Sequence, residues 1–95
     1  MRVIARRALR EFRQRYTDAA KSLDAWFRIA RAASWQSLAD VRHVFPHADI
    51  VGNFTVFNIK GNSYRLITII KYVPAIIYIR RIMTHGEYDK GDWKE

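Results

Sequence analysis

At Phe54 the hydrophobic pattern changes period. Upstream, Leu9, Phe12 and Tyr16 recur at spacings of three and four, the repeat of an amphipathic helix, with Arg6, Arg10 and Arg13 on another face. Downstream, β-branched and aromatic residues fill three runs, Phe54 to Ile59, Tyr64 to Tyr72 and Ala75 to Met83. Lys60-Gly61-Asn62-Ser63 supplies turn chemistry between the first two runs, and Val73-Pro74 between the second pair. Connections this short join antiparallel neighbours, so the three runs form an antiparallel meander. Helices followed by strands place the chain in the α+β class: a small antiparallel sheet with N-terminal helices packed on one face.

The upstream elements divide further. Val3 to Ala5 suits an opening strand, and a helix runs from Arg6. A second helix follows Thr17 or Asp18, either of which has the side chain to cap it. Its buried stripe is Ala19, Leu23, Trp26, Phe27, Ala30 and Ala33, while Lys21, Asp24, Arg28 and Arg31 stay outside. Trp35, Leu38 and Val41 predict a short third helix over Ser34 to Val44, stopped by Pro46. His47 to Asn53 reads as a connection.

Ninety-five residues, 49% hydrophobic and 14% aromatic, supply one core, so residues 1–95 are expected to form a single domain. The sequence contains no cysteine, which excludes a disulfide framework and thiolate metal sites and fits a reducing compartment. The apolar run within Met1 to Arg7 is too short for a secretory signal, and no stretch approaches the roughly 20 apolar residues of a membrane span. A cytoplasmic protein with no membrane partner is expected.

Seventeen Lys and Arg against nine Asp and Glu leave a net charge of +8, which attracts polyanions. The balance is +6 over residues 1–33, −1 over 34–59 and +3 over 60–95, so two separate regions are basic. The arginines of the helices lie where any solvated amphipathic helix carries charge. Those of the strands are less ordinary. Alternation puts Arg65, Ile67, Ile69 and Lys71 on one face of their strand and Tyr64, Leu66, Thr68 and Ile70 on the other. Arg80 and Arg81 are adjacent, so only one joins Arg65 unless a bulge intervenes; parity slightly favours Arg80.

Thr84-His85-Gly86-Glu87 has the spacing of a capping box, which starts a helix at His85 and brings Tyr88 about one turn away. Free N–H groups at a helix start attract phosphate and suit a neutral imidazole that accepts a proton. With basic strand ends and the Tyr88 phenol nearby, His85 is the candidate proton carrier. His43 and His47 have no such company and read as surface residues, and the three histidines lack the spacing of a zinc motif. No metal or other cofactor is expected. Among Trp93, Tyr72 and Tyr78, Trp93 is the candidate for stacking on a base, or else pins the tail.

These residues resemble the HigB toxin family, a branch of the RelE-like bacterial toxins. The resemblance is carried by Ser37-Leu38, Val44-Phe45-Pro46, Val56-Phe57-Asn58-Ile59, Gly61-Asn62, Tyr64-Arg65-Leu66, Met83-Thr84-His85 and Glu87-Tyr88-Asp89, in that order, and is weaker over the first 36 residues. It implies a RelE-like fold and a ribosome-dependent mRNA endonuclease that a HigA-type antitoxin neutralises. By position it implies catalytic roles for Arg65, for Arg80 or Arg81, and for His85 with Tyr88, and matches Lys60 loosely to a lysine near the hairpin. Taken with the strand parity and the aromatic reading, the expected catalytic residues are Arg65, Arg80, His85 and Tyr88 and the expected RNA contacts Lys60, Lys71, Arg81 and Trp93. The implied chemistry is attack of a ribose 2′-OH on the adjacent phosphate without a metal. ParE-like toxins, which look similar in fold yet inhibit a topoisomerase by binding, are the alternative, and a plain RNA-binding module is the third reading.

Overall fold

The computed structural model describes residues 1–94. Among these, five strands form one sheet: β1 (Arg2–Ile4), β2 (Asp49–Val51), β3 (Phe54–Ile59), β4 (Tyr64–Lys71) and β5 (Ile76–Thr84). The helices are α1 (Arg6–Arg15), α2 (Ala20–Ala32), α3 (Leu38–Val44) and α4 (His85–Lys90), with a 3₁₀ turn over Thr17–Ala19. The strand order is β1-β5-β4-β3-β2, which makes β4 the centre. The α+β class and the three-stranded meander stand as the sequence predicts, with β3 bounded as expected and β4 and β5 within one residue at each end.

Four local expectations are corrected. The opening strand lies one residue earlier and pairs parallel with β5, Val3 opposite Ile77, so the sheet is mixed, the other pairings being antiparallel. The connection over His47 to Asn53 contains β2, an edge strand of three residues too short to show a period. The third helix begins at Leu38 rather than Ser34, because Trp35 is buried from an extended segment. Neither Thr17 nor Asp18 caps α2, which starts from the 3₁₀ turn without a side-chain cap.

The two faces of the sheet are covered unequally. Leu66, Phe57, Ile59, Ile77 and Ile79 point into the main core with Leu9, Leu23, Trp26 and Ala30 of the N-terminal helices. Phe57 lies at its centre, with ring centroids 5.4 Å from Trp26, 5.3 Å from Phe45 and 6.3 Å from Trp35. Aromatic rings bury large areas and favour edge-on contacts, as with Trp26 and Phe45, and offset stacking, as with Trp35, so Phe57 ties α2 and the α3 end to the sheet. On the opposite face a smaller cluster joins Val56, Ile67, Met83 and Trp93, with Tyr88 and Phe54 packed against it.

The helix layer is also fastened at the β3–β4 turn. Lys60 and Gly61 both take positive φ, at 52° and 60°, a conformation glycine adopts without steric cost. The turn presents Lys60 Nζ to Asp18 Oδ2 at 2.8 Å, and the Tyr64 hydroxyl donates to Asp18 Oδ1 at 2.7 Å. The carboxylate that the sequence offered as a helix cap is thus taken by the sheet. The hydrogen bond from Lys60, then that from Tyr64, holds the Asp18 carboxyl below its ordinary 3.8, and Asp18 in turn pushes the Tyr64 phenol up to about 12. A depressed carboxyl contributes stability above its unfolded pKa and loses it as pH falls through the folded one. We expect Asp18→Asn to lower the urea midpoint at pH 7 and the difference from the parent to shrink below about pH 4; a difference that persists undiminished at pH 2.5 contradicts this ion pair.

Candidate active site

Arg65 stands on β4 opposite Met83 of β5 and Asn58 of β3, on the face away from the N-terminal helices. Its residue surface is only 8% exposed, and a buried guanidinium requires acceptors. Nη1 donates to the carbonyls of Asn62 and Tyr64, each at 3.2 Å. Nη2 donates to Asn62 Oδ1 and lies 3.0 Å from His85 Nδ1. The turn that the sequence marked by Gly61-Asn62 therefore folds back over the arginine that follows it.

The contact with His85 determines the state of the imidazole. Arginine has donors and no acceptor, so Nδ1 must accept, and the ring proton of the neutral imidazole resides on Nε2. Nε2 in turn lies 2.9 Å from Asp89 Oδ2. Cation, imidazole and carboxylate form one chain, Arg65 to His85 to Asp89. The backbone is fixed as well: the His85 N–H donates to Ser63 O at 2.9 Å. The expected capping box is present, with Glu87 N–H donating to Thr84 Oγ1 at 3.2 Å and Thr84 N–H donating to Glu87 Oε1 at 3.1 Å. The bond from the Thr84 N–H, followed by that from its hydroxyl, holds the Glu87 carboxyl below the usual range.

Tyr88 completes the group. The Arg65 guanidinium carbon is 5.3 Å from the centroid of its ring, and the Trp93 ring stacks on it at 4.9 Å with 17° between planes. Burial, then the negative charge of Asp49, raises the phenol's pKa, while Arg65 acts in the opposite sense. The proton therefore stays on the hydroxyl at neutral pH.

The remaining expected site residues are distributed differently. A bulge inserts Arg80 into β5 between Ile79, opposite Thr68, and Arg81, opposite Ile67. Ile79 and Ile82 both belong to the helix-side core, so the bulge leaves both exposed arginines outside it. The register puts Arg81, rather than the Arg80 that parity favoured, in the row of Arg65 and Ile67. Arg81 lines a cleft with Met83, Glu87, Lys90, Asp92 and Trp93, so its two cations share it with two carboxylates. Lys71 shares the Arg65 face but lies six residues along β4, about 20 Å away at the rise of a strand. Lys60 is drawn to Asp18 on the helix side. Trp93 is 3% exposed, its indole N–H donating to Tyr88 O at 2.9 Å, so in this conformation it pins the tail and offers no face to a base.

A family model described as HigB_toxin, RelE-like toxic component of a toxin-antitoxin system, matches residues 19–91. The chain belongs to the HigB toxin family. Among curated proteins it is similar to the mRNA interferase HigB of Escherichia coli O6:H1, 26% identical over 93 residues that cover 95% of this chain and 90% of that protein. It is also similar to the mRNA interferase toxin HigB of Escherichia coli K12, at 28% over 92 residues, covering 94% and 88% respectively. A HigB toxin is one half of a toxin-antitoxin pair, so an antitoxin is a partner of this chain.

Two residues of this candidate site, Asn62 and Asp89, were given no role from the sequence. Asp89 had a legible signal, because it stands four residues after His85 on a helix that the capping box announces, and such pairs share one face. Asn62 was marked only by turn propensity and by its place in the Gly61-Asn62 motif. The placement of Trp93 is directly testable. Trp93→Ala removes the ring that covers Met83 and Tyr88 and is expected to cost roughly 3 kcal/mol, the low end for a buried aromatic, read from urea denaturation. A variant as stable as the parent would place Trp93 outside the core.

Proposed function

We propose that this HigB-family toxin is an endoribonuclease that cleaves mRNA on the ribosome in the cytoplasm and that a HigA-type antitoxin neutralises it. The observation that carries the reading is the convergence of Arg65, His85 and Tyr88 on one face, next to the cleft of Arg81 and Lys90. The relatives named mRNA interferase fit it. No helix among the described residues is long and apolar enough to cross a membrane.

The proposed reaction is transesterification. The ribose 2′-O bonds to phosphorus, the bond from phosphorus to the 5′-oxygen breaks, and the products are a 2′,3′-cyclic phosphate and a 5′-hydroxyl. The 2′ proton needs an acceptor, the pentavalent centre needs cations, and the departing oxygen needs a proton. Arg65 cannot serve His85 Nδ1 and a phosphate oxygen with the same N–H. An arriving phosphate, which accepts through charged oxygens, competes for that donor and frees the Nδ1 lone pair. Nδ1 then takes the 2′ proton while Arg65 stabilises the phosphorane. The protonated phenol of Tyr88 supplies the proton to the leaving oxygen. Arg81 and Lys90 hold the backbone in the adjoining cleft, with Lys71 farther along the strand; Lys60 contacts RNA only by leaving Asp18.

Primer extension on cellular mRNA after a brief pulse of expression tests this directly, with cuts expected inside translated codons. His85→Gln is expected to lose about 10² to 10⁴ of the single-turnover rate, the range for one acid–base group. Ribosome association should persist, because phosphate contacts from Lys and Arg supply most of such affinity. Arg65→Ala is expected to lose at least about 10² to 10³ and to abolish growth inhibition. Intact mRNA accompanied by a DNA-damage response would overturn the reading in favour of topoisomerase inhibition.

A further inference from the structure

We propose that Asp89 is the positioning residue for His85, the carboxylate that orients the imidazole and stabilises its protonated form during cleavage. The inference rests on the ribonuclease reading and assigns a role to a residue outside the Arg65, His85 and Tyr88 group.

Three observations converge on it. First, Asp89 Oδ2 is 2.9 Å from Nε2, the nitrogen that must carry the ring proton because Arg65 occupies the Nδ1 lone pair. When Nδ1 accepts the 2′ proton, the ring becomes a cation whose second N–H already points at a carboxylate. Charge-assisted hydrogen bonds of that kind are about twice as strong as neutral ones, so the bond strengthens as the proton moves. Second, the geometry is enforced from below. The capping box and the bond from His85 N–H to Ser63 O fix the first turn of α4, and the i to i+4 relation then sets Asp89 beside the ring. Third, Asp89 occupies the last turn of α4, where the helix dipole disfavours a carboxylate. Its side chain is 61% exposed, and an exposed ion pair contributes little to stability. Local folding energetics therefore give no reason for an acid at this position, whereas the imidazole does.

Proton bookkeeping is complete within the group. The 2′ proton passes to Nδ1, the Tyr88 phenol gives its proton to the departing 5′-oxygen, Nε2 keeps its own proton in the bond to Asp89, and Asp89 stays ionised throughout. Arg65 and Asp89 thus act on opposite nitrogens: the first gates the lone pair, the second supports the cation that forms.

The test compares Asp89→Ala, Asp89→Asn and Asp89→Glu in single-turnover cleavage on programmed ribosomes, with His85→Gln in parallel and side-chain NMR of the His85 ring. Asp89→Ala should melt as the parent does. It should lower the maximal rate by at least about 10- to 100-fold, the loss that follows removal of the carboxylate behind a metal-bound imidazole. The toxin concentration for half-maximal rate should not change. Asp89→Asn still accepts the Nε2–H but lacks the charge, so it should fall nearly as far, whereas Asp89→Glu should recover part of the rate. The exchange-protected Nε2 proton signal of the parent should vanish in Asp89→Ala. If His85→Gln is inactive while Asp89→Ala cleaves at the parental rate, or if Asp89→Asn is fully active, Asp89 is a surface charge and the inference fails alone. If His85→Gln also cleaves at the parental rate, the ribonuclease role of His85 fails instead.

Discussion

A guanidinium can only donate, and Arg65 is enclosed where four acceptors meet: two carbonyls and one amide oxygen of its own turn, and His85 Nδ1. That one-sidedness sets the state of everything around it. It places the lone pair of His85 toward Arg65 and the proton toward Asp89, and it sets a cation against one face of Tyr88 while Trp93 covers the ring by stacking. The cost of burying the charge is offset by these bonds, so the arginine holds the β3–β4 turn and the start of α4 together as well as organising the proposed chemistry. In the proposed reaction the same property makes the arrangement switchable, since a phosphate that takes the donor releases the base.

The fold supplies this constellation through a division of labour between the sheet's faces. Phe57, Leu66 and Ile77 turn toward α1 and α2 and make the main core, which leaves the other face of β4 for Arg65 and Ile67. The central position of β4 gives Arg65 hydrogen-bonded strands on both sides, and rigid elements of this kind hold a site more precisely than loops do. The bulge at Arg80 and Arg81 has the usual role of such irregularities beside functional sites, redirecting side chains by one residue. Asp18 works on the far side, drawing Lys60 and Tyr64 to the helix layer and so anchoring the base of the turn from which Asn62 reaches Arg65.

Much of this was legible in the residues. The α+β class followed from the change of period at Phe54, and the meander from the two turn signatures. The family followed from ordered motifs downstream of Ser37. The start of α4 followed from Thr84 and Glu87, because a capping box is a local interaction with fixed spacing. What was not legible depended on distance along the chain or on a single inserted residue. Parity cannot foresee a bulge, so the choice between Arg80 and Arg81 came out reversed for the Arg65 row. The parallel pairing of Val3 with Ile77 joins residues too far apart for any periodicity to register. The ion pair of Lys60 with Asp18 was not legible because the two are 42 positions apart. Asp18 itself looked like a helix cap for the same reason. Trp93 could stack on RNA or on the protein, and only the burial of the tail against Tyr88 distinguishes the two.

The central claim is that Arg65 passes from His85 to the scissile phosphate when substrate arrives. The most direct measurement is a structure of the toxin on a ribosome programmed with mRNA that carries a 2′-deoxynucleotide at the cleavage position, so that the bound state persists. The account predicts an Arg65 Nη within hydrogen-bonding distance of a scissile phosphate oxygen, His85 Nδ1 released and facing the 2′ carbon, and Nε2 still on Asp89. An Arg65–His85 bond left intact, with the phosphate seated elsewhere, would contradict it.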